Sequence, residues 1–249
     1  MGAEQRTRKI ADDMNPSWRA QSNPIDITES DESICTDASN IDSPGMGDSF
    51  YDRTVSIFDW DDTLLSSSFL AANNLHANSK DELPEDFKSM LEDLDTLVVS
   101  LLRDALQLGR VCVITNAETG WVELSGARFL PGVLQFMYKH NIKIVSARST
   151  YERYYPGSPE DWKIEAFACE VKKMFPFSGE LNVLVLGDSI SELQAAHALA
   201  QDLPESRVKA VAFQESPSVD QLQRQISVVL SSFQEIVEYD GSFDVQLVC

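Results

Sequence analysis

The sequence predicts an α/β fold, a three-layer sandwich in which helices cover both faces of a central parallel sheet. Short apolar runs alternate with amphipathic helical patterns along most of the chain, and such alternation is typical of parallel sheets. Two of the runs, Val111-Cys112-Val113-Ile114 and the stretch over residues 183–186, are apolar throughout, as strands buried on both faces are. The 249 residues, 43% of them hydrophobic, suffice for a substantial core.

The first predicted strand is Val55-Ser56-Ile57-Phe58, which ends abruptly at Asp59. The elements expected after it are helix 91–105 with a stop at Gly109, strand 111–114, helix 132–140, strand 142–145, helix 159–175, strand 183–186, helix 191–200, strand 208–213 and a last long helix. Ser218 and Gln221 have the spacing of a capping box for that last helix. Its buried stripe is predicted at Val219, Leu222, Ile226, Val229, Leu230 and Phe233.

The two ends of the chain differ from this middle part in composition. Residues 1–51 are rich in Ser, Asp, Asn and Pro with isolated hydrophobes, which predicts a disordered acidic tail because little apolar surface offsets the entropy of ordering. Its Ser43-Pro44 pair and Ser/Asp clusters are candidate phosphorylation sites, and an unmodified solvated tail is the alternative. Residues 52–238 are expected to form the folded domain, and residues 239–249 either a C-terminal tail or an edge strand.

Charge and composition restrict the partners. The net charge of −20 repels nucleic acid and anionic lipid, so we expect neither a nucleic-acid nor a membrane partner. The four cysteines have no paired spacing, which favours a reducing compartment. No apolar stretch approaches the about 20 residues that cross a bilayer. The expected location is cytoplasmic, and the nucleus fits equally well.

Polar side chains follow the predicted strands, where an open parallel sheet binds its ligands. In chain order they are Asp59, Asp61, Thr115, Asn116, Ser146, Arg148 and Asp188. Clustered carboxylates repel one another unless a cation neutralises them, and Mg²⁺ is typically held by one or two carboxylates together with phosphate oxygens and water. The sequence therefore predicts a site for Mg²⁺ and a phosphoryl group at this edge of the sheet.

Four segments resemble the motifs of the haloacid dehalogenase (HAD) superfamily. Phe58-Asp59-Trp60-Asp61-Asp62-Thr63-Leu64 is similar to its first motif, a strand followed by Asp-x-Asp-x-Thr, and the run from Val111 to Thr115 is similar to its second. Lys163 stands where the family keeps its third-motif lysine, and Gly187-Asp188 with Glu192 resembles the fourth. The likeness covers about residues 55–213 and implies a HAD-like Rossmannoid sandwich.

The resemblance also implies catalytic roles. Asp59 would be the nucleophile, and Asp61 would protonate the leaving oxygen and later activate water. Thr115 would bind a phosphoryl oxygen, and Lys163 would stabilise the charge of the aspartyl-phosphate; Lys172 and Lys173 are its competitors on the same helix. Because the family's dehalogenases lack the second acid and its ATPases carry Lys-Thr there, a phosphatase is favoured.

The metal and substrate contacts are likewise expectations. Mg²⁺ would be held by Asp59, the backbone carbonyl of Asp61 and Asp188, and Glu192, longer by one methylene than the usual Asp, would act through water. Asn116 and Arg148 are candidate substrate ligands. Arg148 and Arg153 either grip a second anionic group of the substrate or lie on the surface, and Trp60, Trp121 and Trp162 either line the pocket mouth or pack in the core or at its rim.

The spacing between motifs predicts a minimal or absent cap over the site. Residues 66–90 leave room for only a small cap insertion, and residues 149–159 are expected to be a loop. By family analogy such open sites often serve bulky substrates such as phosphoproteins, so a bulky or protein substrate is expected. The phosphorylated substrate is either a small molecule or a phosphoprotein. Two alternatives stay open: a non-catalytic HAD-like regulatory or binding module, and phosphoryl transfer to an acceptor other than water.

Overall fold

The computed structural model of the chain describes residues 50–176 and 179–247. The predicted acidic tail lies outside these residues except for its last two, Phe50 and Tyr51. Those two are not part of a tail, because they begin the 3₁₀ helix Phe50–Arg53, and the Tyr51 hydroxyl donates to Glu238 Oε1 over 2.5 Å. The folded domain therefore includes Phe50 and Tyr51, with this contact holding the 3₁₀ turn.

The described residues form one sheet of six parallel strands, which confirms the predicted α/β class and parallel pairing. The strands are β1 Thr54–Phe58, β2 Arg110–Thr115, β3 Lys143–Ser146, β4 Asn182–Gly187, β5 Arg207–Ala212 and β6 Phe243–Gln246. Their order across the sheet is β3-β2-β1-β4-β5-β6. The two central strands, β1 and β4, are buried along their whole length, as expected for strands covered on both faces.

Helices cover the sheet in two groups. They are α1 Ser67–Ala72, α2 Glu85–Leu108, α3 Trp121–Phe129, α4 Pro131–Lys139, α5 Ala147–Tyr151, α6 Pro159–Met174, α7 Ile190–Asp202, α8 Val219–Ser231 and α9 Phe233–Glu238. Helix α2 packs against α4, α8 and α9, whereas α6 packs against α5 and α7. This is a Rossmann-like three-layer arrangement. Within the described ranges, no helix is both long and apolar enough to cross a lipid bilayer.

The alternation of strand side chains explains the two layers. Phe58, Val113 and Leu186 belong to one large apolar cluster with α2, α4, α8 and α9. Their neighbours in sequence point to the opposite face, since successive strand residues alternate. Asp59 follows Phe58, so its side chain points to the face of the sheet on which α6 packs.

Gly109 ends α2 where the sequence predicted a stop. A Cβ there would lie 2.6 Å from the Thr54 carbonyl oxygen, far inside van der Waals contact. Only glycine lets α2 turn into β2 directly beside β1, so this residue fixes how closely the first two strands of the site approach.

Several predicted boundaries are wrong. The α2 helix begins at Glu85, directly after Pro84, so the segment considered as a cap shrinks from residues 66–90 to 66–84 and contains one short helix, α1. The predicted loop over residues 149–159 begins inside helix α5. The last long helix is two helices, α8 and α9, separated at Ser232. The capping box of Ser218 and Gln221 is confirmed.

Helix α3 was not predicted. Its buried positions include Ser125 and Gly126 beside Val122 and Phe129, so no apolar stripe marks it in the sequence. It starts directly after Gly120, which has a left-handed φ of 92°. A helix whose inner face is small and partly polar is invisible to a search for hydrophobic periodicity.

The alternative of a C-terminal edge strand is confirmed by β6, which pairs in parallel with β5. Its side chains are largely exposed, so few apolar contacts secure it. A hydrogen bond of 2.6 Å between His197 Nε2 and Asp244 Oδ2 connects β6 to helix α7. This contact raises the pKa of His197 above its ordinary value, despite partial burial that acts the other way.

We expect β6 to be held more firmly at pH 6 than at pH 8. Because the folded pKa of His197 is raised, its stabilising charge is fully present below the unfolded value of about 6.5 and is lost as the pH rises through the folded value. Hydrogen exchange of the Val245 amide, corrected for the intrinsic rate, measures this protection. His197→Gln should remove the pH dependence; equal corrected protection of the parent at both pH values would contradict the expectation.

Candidate functional site

The chain turns sharply where β1 ends, and this turn presents two carboxylates. The Asp59 amide donates to the Leu186 carbonyl over 2.9 Å and so prolongs the pairing of β1 with β4. Leu64 and Leu65 then donate back to the Trp60 carbonyl, both over 3.0 Å. Asp62, at φ 55°, adopts the left-handed conformation that aspartate tolerates better than most residues. The turn leaves Asp59 buried at the sheet edge and Asp61 half-buried beside it.

Lys163 on α6 lies fully buried between two carboxylates. Its Nζ is 2.6 Å from Asp59 Oδ1 and 2.5 Å from Glu192 Oε1. The side chains are 1%, 8% and 5% exposed, respectively, so water screens this triad little. The structure thus brings the predicted lysine to the predicted nucleophile, whereas Lys172 is exposed and Lys173 pairs with Glu170.

Burial and charge pull the pKa values of this triad in different directions. Burial raises the pKa of Asp59 well above its ordinary value, an effect that the Lys163 charge only partly offsets. Burial also opposes ionisation of Glu192, but the charge and hydrogen bond of Lys163 hold its pKa below the ordinary value. The pKa of Lys163 is raised despite burial because both carboxylates stabilise its charge. Glu192 is therefore the more firmly ionised partner.

Asp61 is oriented by Trp121 on α3 and by Thr115 at the end of β2. Its Oδ1 accepts a hydrogen bond of 2.8 Å from Trp121 Nε1, and its Oδ2 lies 3.4 Å from Thr115 Oγ1. The Thr115 hydroxyl oxygen also accepts from the Ala117 amide over 3.0 Å, which fixes its own position. Burial raises the pKa of Asp61 and the Trp121 donor partly offsets it. A carboxyl group that takes up a proton readily is suited to general acid catalysis.

Asp188 follows β4 and lies next to the same turn. Its Oδ1 is 3.4 Å from Thr63 Oγ1. Burial raises its pKa to about 7, and the neighbouring charges of Glu192 and Asp62 act in the same direction. With Asp59, Asp61 and Glu192 nearby, Lys163 cannot neutralise all the carboxylates of this edge, which is the electrostatic condition that favours a bound cation.

Glu192 has contacts other than those predicted for it. Besides Lys163, its Oε2 accepts from the Ser189 amide at 2.9 Å and from the Ser189 hydroxyl at 2.5 Å. Ser189 and Glu192 thereby form the capping box of α7. Both carboxylate oxygens are engaged by the chain, so Glu192 positions Lys163 in this structure. The Ser-x-x-Glu spacing of a capping box was readable in the sequence and indicates the cap of α7, but it carries no signal for the contact with Lys163.

Gly187 makes room for the Glu192 side chain. A Cβ at this position would overlap it, with Glu192 Cδ at 2.8 Å. The residue before Asp188 must therefore be glycine if Glu192 is to reach Lys163. This gives the Gly-Asp pair a local physical explanation.

Asn116, one of the two predicted substrate ligands, forms hydrogen bonds to residues of α6 and α7. Its Nδ2 donates to the Pro159 carbonyl at 3.2 Å and to Ser191 Oγ at 3.4 Å, and its buried Oδ1 has no hydrogen-bond partner among the described residues. Arg148, the other predicted ligand, forms ion pairs with two glutamates. Its Nε is 3.0 Å from Glu152 Oε2, and its Nη1 is 3.9 Å from Glu118 Oε1. Arg148 is thus held by acidic side chains of the chain itself in this structure, and its contact with a substrate anion stays a prediction.

The tryptophans separate in the same way. Trp60 is fully buried and donates to Ser125 Oγ over 2.9 Å, so it belongs to the core. Trp162 is also buried and donates to the Tyr155 carbonyl over 2.7 Å. Trp121 alone of the three contacts a predicted catalytic residue, through its hydrogen bond to Asp61.

The residues at the sheet edge fit the predicted Mg²⁺ chemically. Among the described residues, no group of three or more His, Cys, Asp or Glu side chains is arranged to hold a metal ion. The predicted Mg²⁺ ligands do not need such a group of side chains, because they are the carboxylates of Asp59 and Asp188 together with the backbone carbonyl of Asp61. These two aspartates follow neighbouring strands that pair as Phe58 with Leu186. Oxygen donors of this kind, completed by water and phosphate, suit Mg²⁺.

Comparison with known proteins adds no assignment. No family model matches the chain, and neither the curated proteins nor the solved structures contain a match. The chemistry of the site must therefore be inferred from its own residues.

We expect Lys163→Met to lower the free energy of unfolding by about 3–5 kcal/mol, because removing one partner leaves buried carboxylates uncompensated. Urea unfolding at pH 7 without divalent cations measures the change. Lys172→Met, an exposed lysine on the same helix, is the matched control and should change stability by less than about 0.5 kcal/mol.

Adding Glu192→Gln to Lys163→Met should restore part of the loss, since one of the stranded charges is removed. Equal stability of the Lys163→Met and Lys172→Met variants would contradict the buried triad.

Proposed function

We propose that the chain is a Mg²⁺-dependent phosphomonoester hydrolase of the HAD type that works through an aspartyl-phosphate. The observation that carries this proposal is the Asp59 carboxylate, buried at the end of β1 with Lys163 Nζ 2.6 Å away. A buried carboxylate paired with a lysine and surrounded by further acids is an unfavourable arrangement for stability alone. Such sites are kept where the chemistry needs them.

In the first step, one oxygen of Asp59 attacks phosphorus while the bond from phosphorus to the leaving oxygen breaks. Asp61 gives its proton to that oxygen, so the alcohol or phenol leaves neutral. The raised pKa of Asp61 supports this role, since a carboxyl group must hold a proton to donate it. Lys163 stays charged and stabilises the acyl phosphate through the remaining Asp59 oxygen.

In the second step, water attacks the aspartyl-phosphate and Asp61, now ionised, takes the water's proton. The bond between Asp59 and phosphorus breaks, which returns the Asp59 carboxylate and releases inorganic phosphate. Thr115, whose Oγ1 lies 3.4 Å from Asp61 Oδ2, would donate its hydroxyl proton to a phosphoryl oxygen. Trp121 keeps Asp61 in one orientation through both steps.

Asp59, Asp188 and the carbonyl of Asp61 would hold Mg²⁺. When bound, the ion neutralises charge on the phosphoryl group and on the carboxylates, which lowers the repulsion between nucleophile and substrate. Glu192 acts through Lys163 and is a positioning residue in this account. The substrate is a phosphorylated small molecule or a phosphoprotein.

The test is hydrolysis of phenyl phosphate at pH 7 with Mg²⁺ or with EDTA. We expect EDTA to abolish turnover, and we expect Asp59→Asn to lower kcat by a factor on the order of a thousand or more, since the amide cannot act as nucleophile. Asp86→Asn, an exposed aspartate at the start of α2, is the control and should retain parental kcat.

Turnover that persists in Asp59→Asn, or that is unchanged by EDTA, would refute the mechanism. Tight binding of phosphate esters without turnover, equal in parent and Asp59→Asn, would favour the non-catalytic module instead.

A further inference from the structure

A cavity of about 490 Å³ opens beside the Asp61 carboxylate. Its walls come from the end of the β1 turn, from α1 with the residues that follow it, and from α3. The wall formed by α1 and the residues after it belongs to the segment 66–90, for which a small cap insertion was predicted.

The location of the cavity assigns it to one part of a substrate, given the function proposed above. Asp61 is the group that protonates the leaving oxygen, so whatever is attached to that oxygen lies on the Asp61 side of the phosphoryl group. Asp61 lines the cavity, whereas Asp59 and Lys163 do not. The cavity is therefore placed for the leaving group.

The volume of the cavity is larger than a single aromatic ring fills. Sites for small molecules have volumes of roughly 300–1,000 Å³. A cavity of about 150 Å³ already admits a benzene ring. At about 490 Å³, this one has room for a leaving group larger than a single ring.

The lining sets the chemistry. Eight of the thirteen described lining residues are apolar, among them Leu65, Trp121 and Phe129; the other five are Asp61, two serines, His76 and Asn78, and none is a lysine or arginine. An anionic substituent would meet the Asp61 carboxylate in a chain of net charge −20, with no strong cation to bind it.

Leu124 strengthens the case at the cavity rim. It is a large apolar side chain on α3, yet 46% of it is exposed. A ligand seated in the cavity would cover apolar surface of this kind, which is the main source of affinity in such sites.

We propose that the cavity binds a neutral, apolar leaving group larger than one ring, so that the substrates are small phosphomonoesters of fused-ring or comparably bulky hydrophobic alcohols and phenols. This inference rests on the proposed function. It narrows the substrate class from phosphorylated molecules in general to hydrophobic ones.

The first experiment compares kcat/KM for 1-naphthyl phosphate, phenyl phosphate and 4-carboxyphenyl phosphate with the full chain and Mg²⁺. All three release phenols of similar acidity, so differences of tenfold or more report contacts beyond the ester oxygen. We expect 1-naphthyl phosphate to exceed phenyl phosphate at least tenfold, as one or two extra buried carbons can give, and 4-carboxyphenyl phosphate to fall below both. Equal values, or a preference for the carboxylate, would overturn the proposal.

Variants tie the preference to the cavity. Ala71→Phe adds bulk to a lining residue, and its exposed neighbour Ala72, outside the lining, gives the control Ala72→Phe on the same helix. We expect Ala71→Phe to lower kcat/KM for 1-naphthyl phosphate at least tenfold and Ala72→Phe to leave it unchanged.

Leu124→Ala, with the equally exposed Val228→Ala as control, tests the rim without adding bulk and should lower the same value severalfold. Equal effects within each pair would overturn the assignment.

Binding of 1-naphthol, followed by calorimetry, separates this inference from the proposed function because it needs no catalysis. Binding that Ala71→Phe weakens and Ala72→Phe does not supports the cavity, even if no ester is hydrolysed, in which case the enzyme assignment fails alone. Hydrolysis of phenyl phosphate without any naphthol binding overturns the cavity inference and leaves the enzyme assignment intact. Faster turnover of a phosphotyrosine peptide than of 1-naphthyl phosphate overturns the restriction to small molecules.

Discussion

A lysine ammonium buried between two carboxylates is the constraint on which the arrangement of this site depends. Lys163 joins the end of β1, through Asp59, to the N-terminus of α7, through Glu192, while it belongs to α6 itself. Moving three charged groups out of water costs several kcal/mol for each ion, and their attraction offsets this only in good geometry. The packing of α6 between α5 and α7, and the glycine at position 187, are what provide that geometry.

The sequence predicted the parts of this structure that depend on long, regular patterns. The continuous apolar runs of β2 and β4 and the stripe of α8 identified their elements, and the spacing of polar residues after strands identified Asp59, Asp61, Thr115 and Asp188 as neighbours. Parallel pairing explains this success, because it places the ends of successive strands at one edge.

The parts that could not be predicted depend on single contacts. Helix α3 has Ser125 and Gly126 on its buried face, so periodicity gives no signal for it, yet it supplies Trp121 to Asp61. The choice of Lys163 over its neighbours on α6 was made by resemblance, and only the packing shows why it is the buried one. Arg148 is a further example: its place after a strand predicted an anion ligand, and its ion pair with Glu152, one helical turn later, was not readable from the strand pattern.

Asp59 is the proposed nucleophile, and trapping the covalent intermediate is the decisive test of that role. Rapid acid quenching of the chain during turnover of ³²P-labelled phenyl phosphate with Mg²⁺, followed by peptide mapping, locates any transferred phosphoryl group. We expect label on the peptide that contains Asp59, and we expect hydroxylamine to remove it, because hydroxylamine cleaves acyl phosphates. Hydrolysis that proceeds with no label, or with label confined to another peptide, would contradict that role.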